Sequence, residues 1–463
     1  MWFQRDLRIH DNPALKASLE TALEGGGLVV PVFILDKSTP WALGQAQAWW
    51  LHYSLKKLQV SLKKHLVLRQ GHTLDVLYDL IQETQATSVF WNHCYTPWQQ
   101  DHREELEKKL YEWGVTGHVF HDHLLFKPGT IQNLKKEPYK VFGPFWKKCL
   151  KENSVSCLKM PPIQASILQS FKSDKLEDWN LCPTNPNWAK DFHAWWTPGE
   201  IGALQNLDDF LDKKINTYQV DRIKPSVYGT SRLSPHLHFG EISPRLVWER
   251  LHENDVLQKD AFLREIGWRE FNYHLLYHFP NIPHKAFKSR YEGFPFGQNK
   301  EHFHLWQKGQ TGYPIVDAGM RELWKTGWMH NRVRMITASF LVKHLLIDWR
   351  QGQAWFFKTL VDADVANNAN NWQWIAGSGA DAAPYFRIFN PIVQSKKCDP
   401  KGEYIRTWVP ELKDMPTKWI HFPWKASETI CKKANVVLGQ TYPLPMVEHE
   451  KARIEALKAF KSL

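Results

Sequence analysis

Gly27-Leu28-Val29-Val30-Pro31-Val32-Phe33-Ile34-Leu35 is an apolar run with no polar residue at any alternate position. A strand with one wet face alternates, whereas a strand covered on both faces does not. The run therefore predicts a central strand of a parallel sheet. Working outward, a helical pattern covers roughly Ala42–His65, and a short strand follows at Leu66–Arg69. Then come a helix near Leu74–Glu83, a strand at Ser88–Asn92, a helix from about Pro97 to Trp113 and a strand around His118–His121. Strands alternating with helices in this way read as a doubly wound α/β domain spanning residues 1–126. Its opening strand, Trp2-Phe3, has almost nothing before it, so a few natural N-terminal residues are expected to be missing.

The pattern breaks from Lys127 to about residue 200. Pro128, Pro138, Pro144, Pro161, Pro162, Pro183 and Pro186 punctuate this stretch, which reads as a long connector laid over both domains. From about Ile201 the periodicity becomes helical, as in Ile242–His252, Asp260–His278 and Val333–Trp349, and no strand-like alternation competes with it. The expected architecture is an α/β N-terminal doubly wound parallel-sheet domain and an all-α C-terminal domain over residues 201–463, joined by that connector.

Composition narrows the function. No run among the 463 residues approaches the ~18 apolar residues of a spanning helix, and no basic-then-apolar signal opens the chain. Cys94, Cys149, Cys157, Cys182, Cys398 and Cys431 are scattered without CxxC spacing, which suits a reducing compartment and excludes a zinc ribbon or disulfide framework. A cytoplasmic protein is expected, with no membrane partner. Net charge is +11, and it is uneven: residues 1–200 carry 23 basic and 21 acidic side chains, residues 201–463 carry 36 and 27. An excess of that size on the second half points to a polyanion such as nucleic acid, or to a generally basic protein. The 24 tryptophans can be core filler, stacking platforms or electron-transfer stepping stones.

Two weak motifs carry nothing. Gly377-Ser378-Gly379-Ala380-Asp381-Ala382 matches a dinucleotide fingerprint but lies outside any strand–helix unit. His118, His121 and His123 do not share a strand face, and no metal centre is expected. Gly229-Thr230-Ser231-Arg232-Leu233-Ser234 enters a helical region with donors suited to phosphate oxygens, or to an ordinary cap. Asp362-Ala-Asp364-Val-Ala-Asn-Asn368-Ala-Asn-Asn-Trp372-Gln-Trp374 sets poor helix formers at positions where Asn368 and Trp372 would share a helix face. Such a conflict between propensity and pattern suits a functional site, although a surface loop would also satisfy it. In Trp328-Met-His-Asn331-Arg332-Val-Arg334-Met335 the two arginines point to different sides, one able to pair with a carboxylate such as Asp362 and the other to meet a phosphate. Glu265 and Trp268 stand at i, i+3, a pair that could stack on a flat polar ring and accept its hydrogen bonds.

Taken in order, these segments resemble the photolyase/cryptochrome flavoproteins and, within them, the class I cyclobutane pyrimidine dimer photolyases. The likeness runs from Trp2-Phe3-Gln4-Arg5-Asp6-Leu7-Arg8 to the Pro445 region. It is densest at Gly229–Ser234, Trp268–Phe271, Thr311–Asp317, Gly327–Trp349 and Asp362–Pro391. The resemblance implies an antenna domain followed by a helical domain that holds bent FAD. It also implies light-driven repair of damaged DNA by a monomer, through electron transfer from excited reduced FAD to a flipped-out dimer. By position, Tyr218, Thr230, Ser231, Arg232, Leu233 and Ser234 hold phosphates and ribose. Asp362 and Asp364 lie beside the isoalloxazine and ribitol, Arg334 pairs with Asp362, and Asn368 faces the flavin N5 edge. Glu265, Trp268, Asn331, Met335 and Trp374 line the lesion pocket, with Glu265, Asn368, Met335 and Asn331 carrying the catalytic roles. Arg222, Arg269, Arg332 and Gln394 contact DNA.

Two departures bear on electron supply and on the antenna. Trp372 and Trp349 match the first two members of the family's tryptophan relay, whereas Phe296 stands at the third. Trp98 and Gln99 replace the Asn-Glu pair of folate-binding bacterial members, and Pro283-His284 lacks their lysine, so the second chromophore is left as folate or deazaflavin. A cryptochrome-like blue-light photoreceptor is the alternative reading. A (6-4) photolyase fits less well, because Met335 occupies the position of that subgroup's histidine.

Overall fold

The computed structural model describes residues 1–463 apart from 41–42, 153–155, 164–167, 254–257 and 383–385. Five parallel strands form one sheet: β1 (Trp2–Phe3), β2 (Val32–Leu35), β3 (Val67–Gln70), β4 (Ser88–Asn92) and β5 (Thr116–Phe120), in the order β3-β2-β1-β4-β5. The apolar run supplies β2, buried along its whole length, with Trp2 opposite Val32 and Phe3 opposite Phe33. Around the sheet lie α1 (Pro13–Gly25), α2 (Gln45–Ser61), α3 (Thr73–Thr84) and α4 (Pro97–Glu112). The Ala42 start expected for the second helix lies outside the described residues. The Asn12 side chain caps α1 by accepting from the Leu15 N–H at 3.1 Å, and Pro13 occupies the first turn where no donor is needed.

The proline-rich stretch is not wholly irregular. It contains α5 (Phe142–Cys149), whose Phe142, Phe145 and Trp146 are buried. The helical half follows with α6 (Glu200–Lys213), α7 (Tyr218–Asp221), α8 (Ser234–Phe239), α9 (Pro244–Glu253) and α10 (Lys259–His278). After these come α11 (Lys300–Lys308), α12 (Pro314–Thr326), α13 (Asn331–Ser339), α14 (Trp349–Thr359), α15 (Val365–Ala376) and α16 (Pro391–Cys398). The single helix expected over Val333–Trp349 is a correction. The chain runs as α13, then one wider π-helical turn at Phe340–His344, then a reversal at Leu346 with φ +51°. In that turn the Leu345 N–H reaches the Phe340 carbonyl at 3.1 Å. Trp349 therefore begins a new helix, capped by Asp348, which accepts from the Arg350 N–H at 2.9 Å.

In open α/β sheets the crevice past the strand ends, where strand order reverses, is the usual ligand position. Here that point lies between β1 and β4, and the helical half fills it. The Leu7 N–H donates to the Phe239 carbonyl at 3.2 Å, and Arg8 Nη1 donates to the Gly240 carbonyl at 3.0 Å. Gly240 has φ +65°, and a Cβ there would lie 1.9 Å from the Arg5 carbonyl oxygen, so only glycine allows this approach. Beneath it, the Asp122 carboxylate receives Arg8 at 2.5 Å and Arg245 at 2.6 Å, and Arg245 also reaches Asp11 at 3.1 Å. Asp122 and Arg8 are almost fully buried. Burial alone would raise the Asp122 pKa, but the two guanidinium groups hold it below the usual carboxylate range.

Asp122→Ala would leave the buried Arg8 guanidinium without a carboxylate partner and Arg245 with Asp11 alone, and breaking such a buried pair costs about 3–5 kcal/mol. The expected outcome is a lower denaturant midpoint for the full chain. An unchanged midpoint in urea titration would mean this cluster does not hold the sheet against the helices.

Candidate active site

The turn before α15 carries two carboxylates with different surroundings. Asp364 caps α15, accepting from the Asn367 N–H at 2.9 Å. It also accepts from the Tyr273 hydroxyl at 2.5 Å and has His238 Nδ1 at 3.5 Å and Arg5 Nη1 at 3.7 Å. Burial pushes its pKa up, but His238, Arg5 and the Tyr273 hydrogen bond outweigh this and hold it far below the usual range. Asp362 accepts Ser234 Oγ at 2.6 Å and Arg334 Nη2 at 2.9 Å on one oxygen. Its other oxygen is buried without a partner. Unmet buried acceptors are costly, so this oxygen is suited to an N–H donor on a bound molecule.

A matching donor lies in the Gly229–Ser234 segment. Arg232 holds a left-handed backbone at φ +54°, and its guanidinium packs on Trp328 at 4.2 Å, Tyr228 at 4.5 Å and Trp196 at 5.3 Å. Its Nη1 is buried without a partner, which fits an anionic group, and burial lowers its pKa. Ser231 Oγ accepts from the Leu233 N–H at 3.3 Å and Leu233 is buried, while Ser234 is exposed. Asn368 donates its side-chain N–H to the Gln353 carbonyl at 3.0 Å, which leaves its amide oxygen as the available acceptor. Orphaned donor, orphaned acceptor and free amide oxygen together fit a flavin nucleotide.

One helix face away, Glu265 on α10 pairs with Arg222 Nη2 at 2.6 Å, and Arg222 also lies over the Tyr218 ring at 5.3 Å. Trp268, half-buried, stacks on Phe142 with centroids 3.8 Å apart and planes 10° from parallel. Phe142 belongs to α5, so the connector braces the indole; a proline-broken stretch offered no periodicity from which to foresee that. A Cβ on Gly267 would lie 2.6 Å from the Trp146 ring, and its absence lets α5 seat this close. Asn331 is exposed at the start of α13, and Arg332, Met335, Trp374 and Gln394 are half-buried. Trp372 and Trp349 are buried, Trp372 lying 6.4 Å from Trp306, and Phe296 is half-buried against Phe294 at 4.6 Å.

Arg269 does not join the set expected at DNA. It is buried, donating to the His123 carbonyl and facing His123 Nε2, both at 2.9 Å. At i+1 from Trp268 its side chain leaves the helix on another face. The three histidines of β5 and its exit have separate partners: His118 stacks on Phe90, His121 meets the Tyr95 hydroxyl, and His123 meets that of Tyr273. Arg5, His238, Tyr273 and Gln353 went unrecognised in the sequence because each acts from a distant element.

A doubly wound sheet docked on helices that keep an unmet carboxylate and guanidinium inside defines a two-part protein that receives a nucleotide cofactor in its helical half. The family model for the FAD binding domain of DNA photolyase matches residues 262–462, and that for DNA photolyase matches residues 1–165. A deoxyribodipyrimidine photo-lyase of Agrobacterium fabrum is 49% identical over 100% of this chain and 97% of its own. Cryptochrome-2 of Arabidopsis thaliana is 38% identical over 99% and 78%. The crystal structure of a bacterial class III photolyase from Agrobacterium tumefaciens superposes with TM-score 0.94 at 48% identity, covering 100% of this chain and 96% of that one. The chain belongs to the photolyase/cryptochrome family.

Glu322 underlies the cradle, accepting from the Tyr404 hydroxyl at 2.6 Å and the His330 N–H at 3.2 Å. Burial, only partly offset by Tyr404 and Arg232, raises its pKa from the ordinary 4.5 to about 7. A carboxyl whose folded pKa is raised contributes most below the unfolded value and loses that contribution as pH rises through the folded one. Glu322→Gln, which stays neutral, should gain stability relative to the parent between about pH 5 and pH 8 by about 2–3 kcal/mol. Parallel denaturation curves at the two pH values would oppose this.

Proposed function

We propose that this protein is a light-driven DNA repair enzyme that splits cyclobutane pyrimidine dimers, acting as a cytoplasmic monomer. The observation that carries the reading is the pairing on α10: a carboxylate held by Arg222 and, one turn on, a braced indole. The full-length likeness to a deoxyribodipyrimidine photo-lyase and to a class III photolyase supports it. That likeness also favours class III over the class I expected from the sequence. The division at residues 126 and 200 is kept as the working domain boundary.

FAD, when bound and reduced, supplies the photoexcited electron that opens the cyclobutane ring. The chain's residues do the rest. Arg232, Tyr218, Thr230, Ser231, Leu233 and Ser234 hold its phosphates and ribose. Asp362, fixed by Arg334, accepts from the ring's N–H, and Asn368 offers its amide oxygen to the N5 edge. Asp364 stands behind the ribitol. Trp268 stacks on the extruded lesion, and Glu265, Asn331 and Met335 contact its bases beside Trp374. Extrusion costs least for a damaged, poorly stacked step, and Arg222, Arg332 and Gln394 offset part of it along the backbone. Trp372 and Trp349 are the stepping stones for flavin reduction. Phe296, a harder ring to oxidise than indole, does not extend them. A folate or deazaflavin antenna in the α/β half completes the reading, with Trp98 and Gln99 at the start of α4 departing from the folate pattern.

Cryptochrome-2 at 38% identity keeps a blue-light photoreceptor as the second reading. The photoreduced protein mixed with dimer-containing oligonucleotide should remove dimers under blue light and not in darkness. Binding without light-dependent loss would move the assignment to the photoreceptor. Trp268→Ala should weaken dimer binding by about 1–3 kcal/mol, the value of one base–aromatic stack, while retaining the yellow colour. Asp362→Ala should instead lose the colour, read as flavin absorbance per chain after purification. Full flavin content in that variant would misplace the cradle.

A further inference from the structure

We propose that Asp36, His72 and His102 form a binding site for one divalent ion of the Zn²⁺ type at the carboxyl edge of the sheet. Asp36 directly follows β2, His72 precedes α3 at the exit of β3, and His102 lies on α4, so three separate elements converge. One ligand atom from each lies within 4.8 Å of the others. Two imidazoles and one carboxylate suit borderline ions such as Zn²⁺, Co²⁺ or Ni²⁺ better than the oxygen-seeking Mg²⁺ or Ca²⁺.

The shell behind the ligands is also built. Metal-binding histidines usually offer their second nitrogen to a carboxylate, which fixes the ring. Here His72 Nδ1 lies 3.6 Å from Asp75 in the first turn of α3, and His102 Nδ1 lies 3.8 Å from Glu105, one turn further along α4. That leaves Nε2 of each ring for the ion, and His102 Nε2 is buried with no hydrogen-bond partner. The rings meet edge to face at 5.6 Å, close enough for one ion between them. Asp36 is pinned by Ser38 and Thr73, whose N–H groups donate at 2.9 Å and whose hydroxyls donate at 2.5 and 2.8 Å. Coordination would displace one hydroxyl and leave the amide donors to hold the carboxylate. Tetrahedral Zn²⁺ brings nitrogen ligands to roughly 3.3 Å of one another, so the site must close by about 1.5 Å, within reach of rotation at exposed His72.

One of the ligands, His72, opens onto a groove. A groove of about 580 Å³ between α3 and α4 is lined by His72, Asp75, Asp79 and Glu105, with Tyr78 and Trp113 in its wall. Three carboxylates there against Lys109 favour an incoming cation. Neither the ligands nor the groove shares a residue with the flavin cradle or the α10 pocket, so the inference is independent of the repair reading.

The test is equilibrium dialysis of the FAD-loaded full chain against ZnCl₂, with His72→Ala, His102→Ala and, as a control in the helical half, His304→Ala. One ion per chain is expected in the parent and in the control, with affinity reduced about tenfold or more in each site variant. Asp75→Asn with Glu105→Gln should weaken binding less than the loss of either histidine. Co²⁺ soaked into the parent should give visible bands of a four-coordinate site that Zn²⁺ abolishes, a readout that does not depend on how the variants fold. No saturable binding by the parent, or equal binding by parent and both histidine variants, overturns the proposal.

Discussion

Asp364 is the charge around which the two halves of the molecule are arranged. It caps α15, and the groups that neutralise it come from β1's exit through Arg5, from α8 through His238 and from α10 through Tyr273. A carboxylate this buried is tolerable only when every lone pair is met, so its position requires the sheet and three helices to meet there together. The consequences spread outward. Arg5 can reach it only because Gly240 lets the β1 exit pass against α8, and Arg8, three residues on, then falls onto Asp122. The crevice that most doubly wound domains leave open to ligands is thereby closed by protein. The unmet buried acceptor of Asp362 and the unmet buried donor of Arg232 lie instead among the helices.

Asp362 and Asp364 stand two residues apart with opposite fates. One has its neighbours' donors spent upon it; the other keeps a buried oxygen that no donor among the described residues meets. The neighbouring asparagines make sense in this setting. Asn367 receives the Asp364 cap through its backbone and meets Asn272 with its side chain, Asn370 bonds the Asn272 and Ala366 carbonyls, and Asn368 bonds the Gln353 carbonyl. Poor helix formers persist here because their amides knit α15 to α10 and α14, a tertiary gain that outweighs weak propensity.

Such tertiary gains also explain where the sequence could be read and where it could not. β2 and β4 were legible because burial on both faces removes alternation, a purely local signature. α10 was legible over nearly its full length as well. The break after α13 was not, since Val333–Trp349 remains apolar at helical spacing through the π-turn. What widens that turn is remote: Lys343, buried, donates to the Ala376 carbonyl at the end of α15 at 2.8 Å. α5 was hidden for a related reason, because its stability comes from packing on Gly267 and Trp268 and not from its own pattern. Of the candidate site, residues whose chemistry showed in a short segment, such as Glu265 with Trp268, could be singled out. Arg269, in the same segment, was given a surface task although His123, far away in sequence, holds it inside.

The α10 pair differs from the Asp362 cradle in having its groups met within the chain. Trp268 has one face against Phe142, and Glu265 has its charge matched by Arg222, so both are oriented before any ligand arrives. The indole is fixed by the connector, so it has little side-chain entropy left to lose. The Arg222–Glu265 pair beside it is half-buried and keeps part of each side chain in contact with solvent. Breaking a pair that solvent still reaches costs less than breaking the buried pairs around Asp122 and Asp364. The molecule is thus held by fully buried charges where the halves join, and by a half-buried pair on α10.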